Sequence, residues 1–240
     1  MSTAGSTQQD RLHAASVLAQ AGWLARQPAA FRDEVLRRSR VLAFARGQTV
    51  QRAGDTDQGL FGLAEGSASV LLDTSEIGSH AIHLARPGFW FGALPMVGMP
   101  KMVTVIATEP CKVLFLSQPE FQRIVDADPV GWQHLAILLA GQLTLAIRTV
   151  GDLLARDPVV RIVSRIVTLH DEHPPTDPRA PWPLPVSQAE LAMMCNLSRK
   201  TVNQLLSQLG GAGALSSSYG RVIVHDLEAL KRQAGSGIGP

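Results

Sequence analysis

Apolar positions change their spacing three times along the chain. Between Ala14 and Arg40, Leu18, Trp23 and Leu24 are followed by Phe31, Val35 and Leu36 at helix-like intervals. Pro28 divides that stretch into two short helices, because its ring forbids a continuous ladder. From Val41 to Ser117 the pattern shifts to short β-rich runs: Thr49–Gln51, Leu60–Leu63, Ala68–Leu72, Ala81–Ala85, Val103–Ala107 and Lys112–Leu116. Turn signals at Gly47, Gly54-Asp55, Gly66, Gly78 and Pro87-Gly88 separate them. Strands every ~8–12 residues with glycine punctuation predict an antiparallel sandwich or roll.

The helical period then returns. Ser117 is a cap for a short helix over Pro119–Asp126, and Asp128-Pro129 opens a long helix reaching about Arg156, with proline in the first turn. Within it Leu139, Leu143, Ala146, Val150 and Leu153 step 4-3-4-3, the spacing of a heptad seam. Leu138, Leu145 and Leu154 widen the stripe. A helix this broadly apolar suits packing on its own β-domain and on a twin subunit; the plainer reading is one ordinary core helix. Asp157-Pro158 restarts a helix over Pro158–Leu169 after a natural hinge, since the residue before proline resists helical dihedrals. The proline-rich stretch His173–Pro185 reads as a linker turn or extended wing support. The expected organisation is a disordered N-terminus (1–10), a β-domain with flanking helices (11–127), a dimerisation helix (128–156) and a second domain (157–240).

Composition changes this picture in two ways. The 240 residues are 45% apolar and 18% charged, a globular balance, and the net charge is only +2, so any nucleic-acid contact comes from a local patch. Cys111 and Cys195 form no CxxC pair, which argues against a zinc ribbon, an iron–sulfur site or a disulfide scaffold and suits a reducing cytoplasm. Met1–Asp10 lacks the apolar run of a signal peptide, and no run of about 18 uninterrupted apolar residues appears, so no membrane span is expected.

The densest local signal lies in Val186–Leu209. Ser187-Gln188-Ala189-Glu190 is a capping box, in which hydroxyl and carboxylate satisfy each other's orphan amides. The helix it opens buries Leu191 and Met194, with Ala192 small enough for a close crossing. Asn196 sits where the chain must turn, and asparagine tolerates the left-handed conformation. Ser198 caps a second helix whose inward face is Val202, Leu205, Leu206 and Leu209. Outward at its first turns stand Arg199, Lys200, Asn203 and Gln204. Arginine pairs bidentately with guanine, and asparagine and glutamine suit adenine. Four polar residues alone would read as a solvated face; capped helix, turn and capped helix together predict a helix-turn-helix. Ala214–Val224 follows as a β-hairpin wing turning at Tyr219-Gly220, with Arg221 and Ser216–Ser218 within reach of phosphates.

The order of parts resembles the CRP/FNR superfamily of bacterial regulators over roughly Leu24 to Arg232. The most specific runs are Ser187-Gln188-Ala189-Glu190-Leu191-Ala192, Leu197-Ser198-Arg199-Lys200-Thr201-Val202 and Gly220-Arg221-Val222-Ile223-Val224. Ala45-Arg46-Gly47-Gln48-Thr49-Val50 looks like the family's opening turn, and Pro87-Gly88-Phe89-Trp90-Phe91-Gly92 like the run into its effector pocket. The resemblance implies an α+β architecture: an N-terminal antiparallel, jelly-roll-like β-roll with a cyclic-nucleotide-binding-like fold, a long dimerisation helix and a C-terminal winged helix-turn-helix. It implies double-stranded DNA, a second copy of the chain through 128–156, and RNA polymerase as partners. DNA contacts fall to Ser187, Ser198, Arg199, Lys200, Thr201, Asn203, Gln204 and Arg221. Where the family often carries Glu after the guanine-reading Arg, this chain has Lys200, so its operator should differ from the best-known type.

The implied effector pocket comprises Trp90, Gly92, Ala93, Lys101, Met102, Val103, Ala146 and Ile147. Cyclic-nucleotide binders of the family hold the ribose with a Glu and the phosphate with an Arg-Ser pair; here Ala93 and Lys101-Met102 stand instead. Lysine keeps a charge but not a bidentate fork. Losing a charge-assisted hydrogen bond of about 1.5–3 kcal/mol at each of two places weakens binding by two or more decades, which argues against a cAMP sensor. Two alternatives stay open: a small apolar or aromatic effector lined by Trp90, Met96, Met99 and Met102, or a core filled by those side chains.

Other candidates are weaker. His170-Asp171-Glu172-His173 has metal-like spacing but no evident third ligand, and no residue identifies a haem axial ligand. His80 and His83 lie an odd number of residues apart on a strand, which predicts opposite faces. Cys111 and Cys195 read as buried small hydrophobes. No nucleophile–base pair or phosphate loop marks an enzyme. The competing reading is a ligand-binding β-domain protein whose helix-turn-helix mediates protein contacts rather than DNA binding.

Overall fold

The computed structural model describes residues 8–55, 59–74, 78–172, 174–175, 177, 180–184, 186–218 and 221–235. The chain divides into two compact units, Met1–Thr144 and Leu145–Pro240. The division falls inside the long helix.

In the first unit, helices α1 (Gln8–Gln20), α2 (Gly22–Ala25) and α3 (Ala29–Arg38) precede the strands. Residues 8–10, expected to be disordered, are helical; 1–7 lie outside the described residues. The helix is held because Ala14 and Leu18, one turn apart, are fully buried and Asp10 pairs with Lys112 at 3.1 Å. The strands are β1 (Arg40–Phe44), β2 (Thr49–Gln51), β3 (Gly59–Glu65), β4 (Ala68–Thr74), β5 (Gly78–Ala85), β6 (Trp90–Phe91), β7 (Thr104–Ala107) and β8 (Cys111–Ser117). They form two antiparallel four-stranded sheets, ordered β1-β8-β3-β6 and β2-β7-β4-β5. This is the predicted β-roll.

The roll has an apolar layer on each side of its first sheet. Phe61, Leu63, Phe91, Cys111 and Val113 point between the sheets with Val50, Val70 and Val105. Leu60, Ala64, Trp90, Leu114 and Leu116 point the other way, onto Leu18, Leu24, Val35 and Phe121 of the flanking helices. Strands covered on both faces carry continuous apolar runs, as β3 and β8 do. Gly62 is the space that admits Trp90: a Cβ there would lie 2.6 Å from the indole ring.

The expectation for His80 and His83 fails on register. A bulge shifts the β4–β5 pairing, so His83 opposes Val70 and His80 opposes Leu72, two residues apart on β4 and therefore on one face. His83 is buried with its ring 4.7 Å from that of Phe89.

Helix α4 (Gln118–Ala127) leads to α5 (Gly131–Leu154). Leu135 and Leu138 of α5 are buried in the helix-side core, Trp23 Nε1 donates to the His134 carbonyl at 2.9 Å, and Gln142 Nε2 donates to the Trp90 carbonyl at 2.9 Å. Further along, an apolar stripe stands exposed: Ile137, Leu143, Ile147, Val150 and Leu154, with Ile147 63% and Leu154 76% accessible. The stripe differs from the expected seam at its start, since Leu139 is partly buried against the core. By length and composition α5 is also apolar enough to cross a bilayer.

The second unit contains the end of α5, then α6 (Pro158–Glu172), β9 (Trp182–Pro183), α7 (Gln188–Met194), α8 (Arg199–Gly210), β10 (Leu215–Ser218), β11 (Arg221–Val224) and α9 (Leu227–Ala234). Its sheet is ordered β10-β11-β9. Part of the proline-rich stretch is thus the third strand of the wing. Ile162, Ile166, Leu169, Leu191, Val202, Leu206, Val222 and Leu230 form its buried interior.

Candidate nucleic-acid interface

The site is built on two consecutive capped helices. Glu190 N–H donates to Ser187 Oγ at 3.2 Å and Ser187 N–H donates to Glu190 Oε2 at 2.7 Å, so the capping box closes in both directions. After α7 the chain reverses at Asn196, a non-glycine residue at positive φ (50°). Leu197 N–H returns to the Ala192 carbonyl at 2.9 Å, which fixes the turn. Ser198 then accepts from Thr201 N–H at 3.0 Å, and the two hydroxyls lie 2.7 Å apart. Ser198 and Thr201 are therefore occupied in starting α8. The cap leaves the positive end of the helix dipole free, a favourable setting for phosphate.

Val202, Leu206 and Leu209 anchor α8 by burial, while Leu205, expected inward, is half-buried. Arg199, Lys200, Asn203 and Gln204 are exposed. Ser207 and Gln208 continue this face and were missed by the sequence reading, although each lies four residues beyond Asn203 or Gln204 and hence one turn along. Together with Thr201 and Leu205 they line a shallow open hollow on the helix.

The wing hairpin pairs Ser218 with Arg221 and Ser217 with Val222. Ser216 and Ser217 are exposed, and Ser216 Oγ lies 2.9 Å from His225 Nε2. The turn at Tyr219-Gly220 and the side chain of Arg221 lie outside the described residues. Cys195 closes α7 from inside: its Sγ lies 3.7 Å from the Arg161 carbonyl, and burial pushes its thiol up to about 12.

Within the first unit the expected pocket residues differ in their surroundings. Trp90, Ala93 and Met96 belong to the helix-side core, while Met99 and Met102 are exposed, so the four aromatic and methionine side chains do not gather in one lining. Gly92 has φ +84°, and a Cβ there would meet the Gly59 carbonyl at 2.4 Å, so the position is closed by backbone. Lys101 is buried with Nζ 5.7 Å from the centre of the Phe61 ring, and its carbonyl accepts from Gly54 N–H at 2.9 Å. The Val103 carbonyl accepts from Gln51 Nε2 at 3.1 Å. Ala146 and Ile147 stand exposed on α5. Of the histidine–acid run, His170 packs edge-on against Trp182 at 5.1 Å, and His173 lies outside the described residues. Among the described residues no three His, Cys, Asp or Glu side chains are grouped to hold a metal.

A double-sheeted roll, a long helix with an exposed apolar stripe and a capped helix-turn-helix with its wing define a winged-helix regulator carrying a cyclic-nucleotide-binding-like domain. Comparison with known proteins agrees. Residues 41–128 match the model of the cyclic nucleotide-binding domain, and residues 160–233 match that of the Crp-like helix-turn-helix domain. The cAMP-activated global transcriptional regulator CRP of Pasteurella multocida is 25% identical over 178 residues, spanning 73% of this chain and 85% of that protein. The transcriptional regulator LdrP of Thermus thermophilus is 26% identical over 195 residues, 81% of this chain and 97% of its own. A solved structure of a CooA variant from Carboxydothermus hydrogenoformans shares the fold with a TM-score of 0.68 at 20% identity, covering 84% of this chain and 90% of that one. The chain belongs to the CRP/FNR family of DNA-binding transcription regulators.

Proposed function

We propose that the protein is a homodimeric regulator that binds a pseudo-palindromic operator, with residues 11–127 as sensor, 128–156 as dimerisation helix and 157–240 as DNA reader. The observation that carries this reading is the capped helix α8, whose first two turns present Arg199, Lys200, Asn203 and Gln204 to solvent above an inner face of buried Val202, Leu206 and Leu209. A recognition helix meets base edges with its N-terminal residues. Arg199 reads a guanine and Lys200 sets the operator apart from sites read by an acid at that position. Ser187, Ser198 and Thr201 hold the helix ends against the backbone, and Arg221 takes a phosphate. The exposed arginine, lysine and amide side chains at the start of α8 suit the base edges of double-stranded DNA.

The sensor answers to a signal other than cAMP, or to none. The buried Lys101 offers one point charge, Ala93 offers no carboxylate, and Trp90 and Met96 already fill the core. RNA polymerase is the expected further partner once the operator is bound.

The experiment is a pair of substitutions measured on operator and on random duplex. Arg199→Ala should lose about 1–3 kcal/mol of discrimination at one operator position. Arg221→Ala should weaken binding to every sequence alike and reduce the salt slope by about one. Equal losses on operator and random DNA for Arg199→Ala contradict the assignment.

A further inference from the structure

Arg165 is among the most buried side chains of the molecule, only 1% accessible, and it is charged. A guanidinium is not withdrawn from water without a structural consequence. Its Nη1 donates to Thr149 Oγ1 at 3.3 Å, and Nη2 lies 3.7 Å from Asp152 Oδ2. Thr149 spends its own proton on the Leu145 carbonyl at 2.9 Å, so its oxygen meets Arg165 as an acceptor. Thr149 and Asp152 lie three residues apart on the last turns of α5, so Arg165 of α6 meets one side of that helix end through one hydrogen bond and one longer ion pair. One turn earlier on α6, Arg161 Nε donates to the Ala155 carbonyl at 3.1 Å and Nη1 to the Cys195 carbonyl at 3.4 Å. Cys195 is the residue that closes α7 before the turn into α8.

Two arginines on one face of α6 thus join the end of α5 to the turn of the helix-turn-helix, all within the unit Leu145–Pro240. The same end of α5 carries the exposed Ile147, Val150 and Leu154. The hydrogen bonds to Thr149, Ala155 and Cys195 fix direction as well as distance, and the Asp157-Pro158 junction between the helices has no regular ladder of its own to do so. We infer that Arg165, with Arg161, is a positioning residue for operator recognition: it sets the angle at which the helix-turn-helix leaves the dimer helix, and so the half-site spacing the dimer accepts. This rests on the dimeric reading proposed above.

The test uses the full-length protein and inverted repeats whose half-sites are moved apart in single base-pair steps. Each step rotates one half-site by about 34° relative to the other, so a rigid reader discriminates sharply. Arg165→Met removes the grip while keeping an apolar chain of similar length in the buried position. The wild-type protein is expected to lose about tenfold or more in affinity at two base pairs from its best spacing, and Arg165→Met about threefold or less, with base preference in each half-site and the dimer retained. Thr149→Val, which removes one acceptor at lower risk to folding, should fall between them. A folded Arg165→Met or Thr149→Val protein with the wild-type spacing profile overturns the inference alone. A wild-type protein indifferent to spacing overturns the dimeric reading, and the inference with it.

Discussion

At the scale of single residues, burial decides what the two thiols do. Cys111 and Cys195 are buried and free, and desolvation pushes the first up to about 11 and the second to about 12. The thiolate is the reactive form, so both should be inert at neutral pH while the chain is folded. Labelling with a chromogenic disulfide should proceed at least roughly tenfold faster in denaturant than in buffer. Fast labelling of the native protein that also abolishes DNA binding would instead mark Cys195 as a redox switch. Glu172 gives a second residue-scale outcome. Burial, opposed by Arg165 and Arg148, pushes its carboxyl up to about 7. The folded state therefore holds this proton more tightly than the unfolded chain, and stability falls as pH rises from about 4.5 to 7 through this group. Glu172→Gln should flatten that part of a stability–pH curve; an unchanged slope contradicts the assignment. Residues whose roles are local were legible in the sequence. Ser187, Ser198 and Asn196 each act within four positions of themselves, and the structure has all three in the predicted roles. Lys101 and Trp90 were not, because their burial depends on Phe61 and Gly62 some thirty to forty positions away.

At the scale of elements, turn signals between runs guided the reading better than strand length. Six strands were placed to within about three residues by turn signals between them. β1 and β6 escaped because each takes its extended form from a partner distant in sequence, β1 from β8 and β6 from β3, whereas β9 lies in the stretch expected as a linker turn or extended wing support and pairs with β11. The long helix is legible from its heptad spacing: of the expected seam Leu143, Ala146, Val150 and Leu153 stand exposed with Ile147 and Leu154 beside them, while Leu139 is partly buried against the core. That stripe makes a prediction. Leu143→Asp and Ile147→Asp place a charge where two copies would meet and leave the monomer interior untouched. Losing about 1.5–3 kcal/mol of burial per subunit should weaken dimerisation by roughly two to four decades. Sedimentation should then report a folded monomer. A dimer of undiminished affinity would move the interface elsewhere.

At the scale of the whole molecule, a net charge of +2 means that DNA affinity cannot arise from a general positive field. It must come from a local concentration of donors, and α8 presents Arg199, Lys200, Asn203 and Gln204 exposed at its first turns. The C-terminal chemistry is more legible in the sequence than that of the sensor, because a helix-turn-helix is a contiguous segment, whereas Trp90, Gly92 and Lys101 take their surroundings from Gly62, Gly59 and Phe61, distant in sequence. The most direct measurement is selection of binding sites by the purified full-length protein from a random DNA pool. The account predicts an inverted repeat with half-site centres about 34 Å apart, a guanine in each half-site that Arg199→Ala no longer requires, and an affinity that falls steeply with salt. Recovery of an unrepeated motif, or of no motif at all, would contradict it.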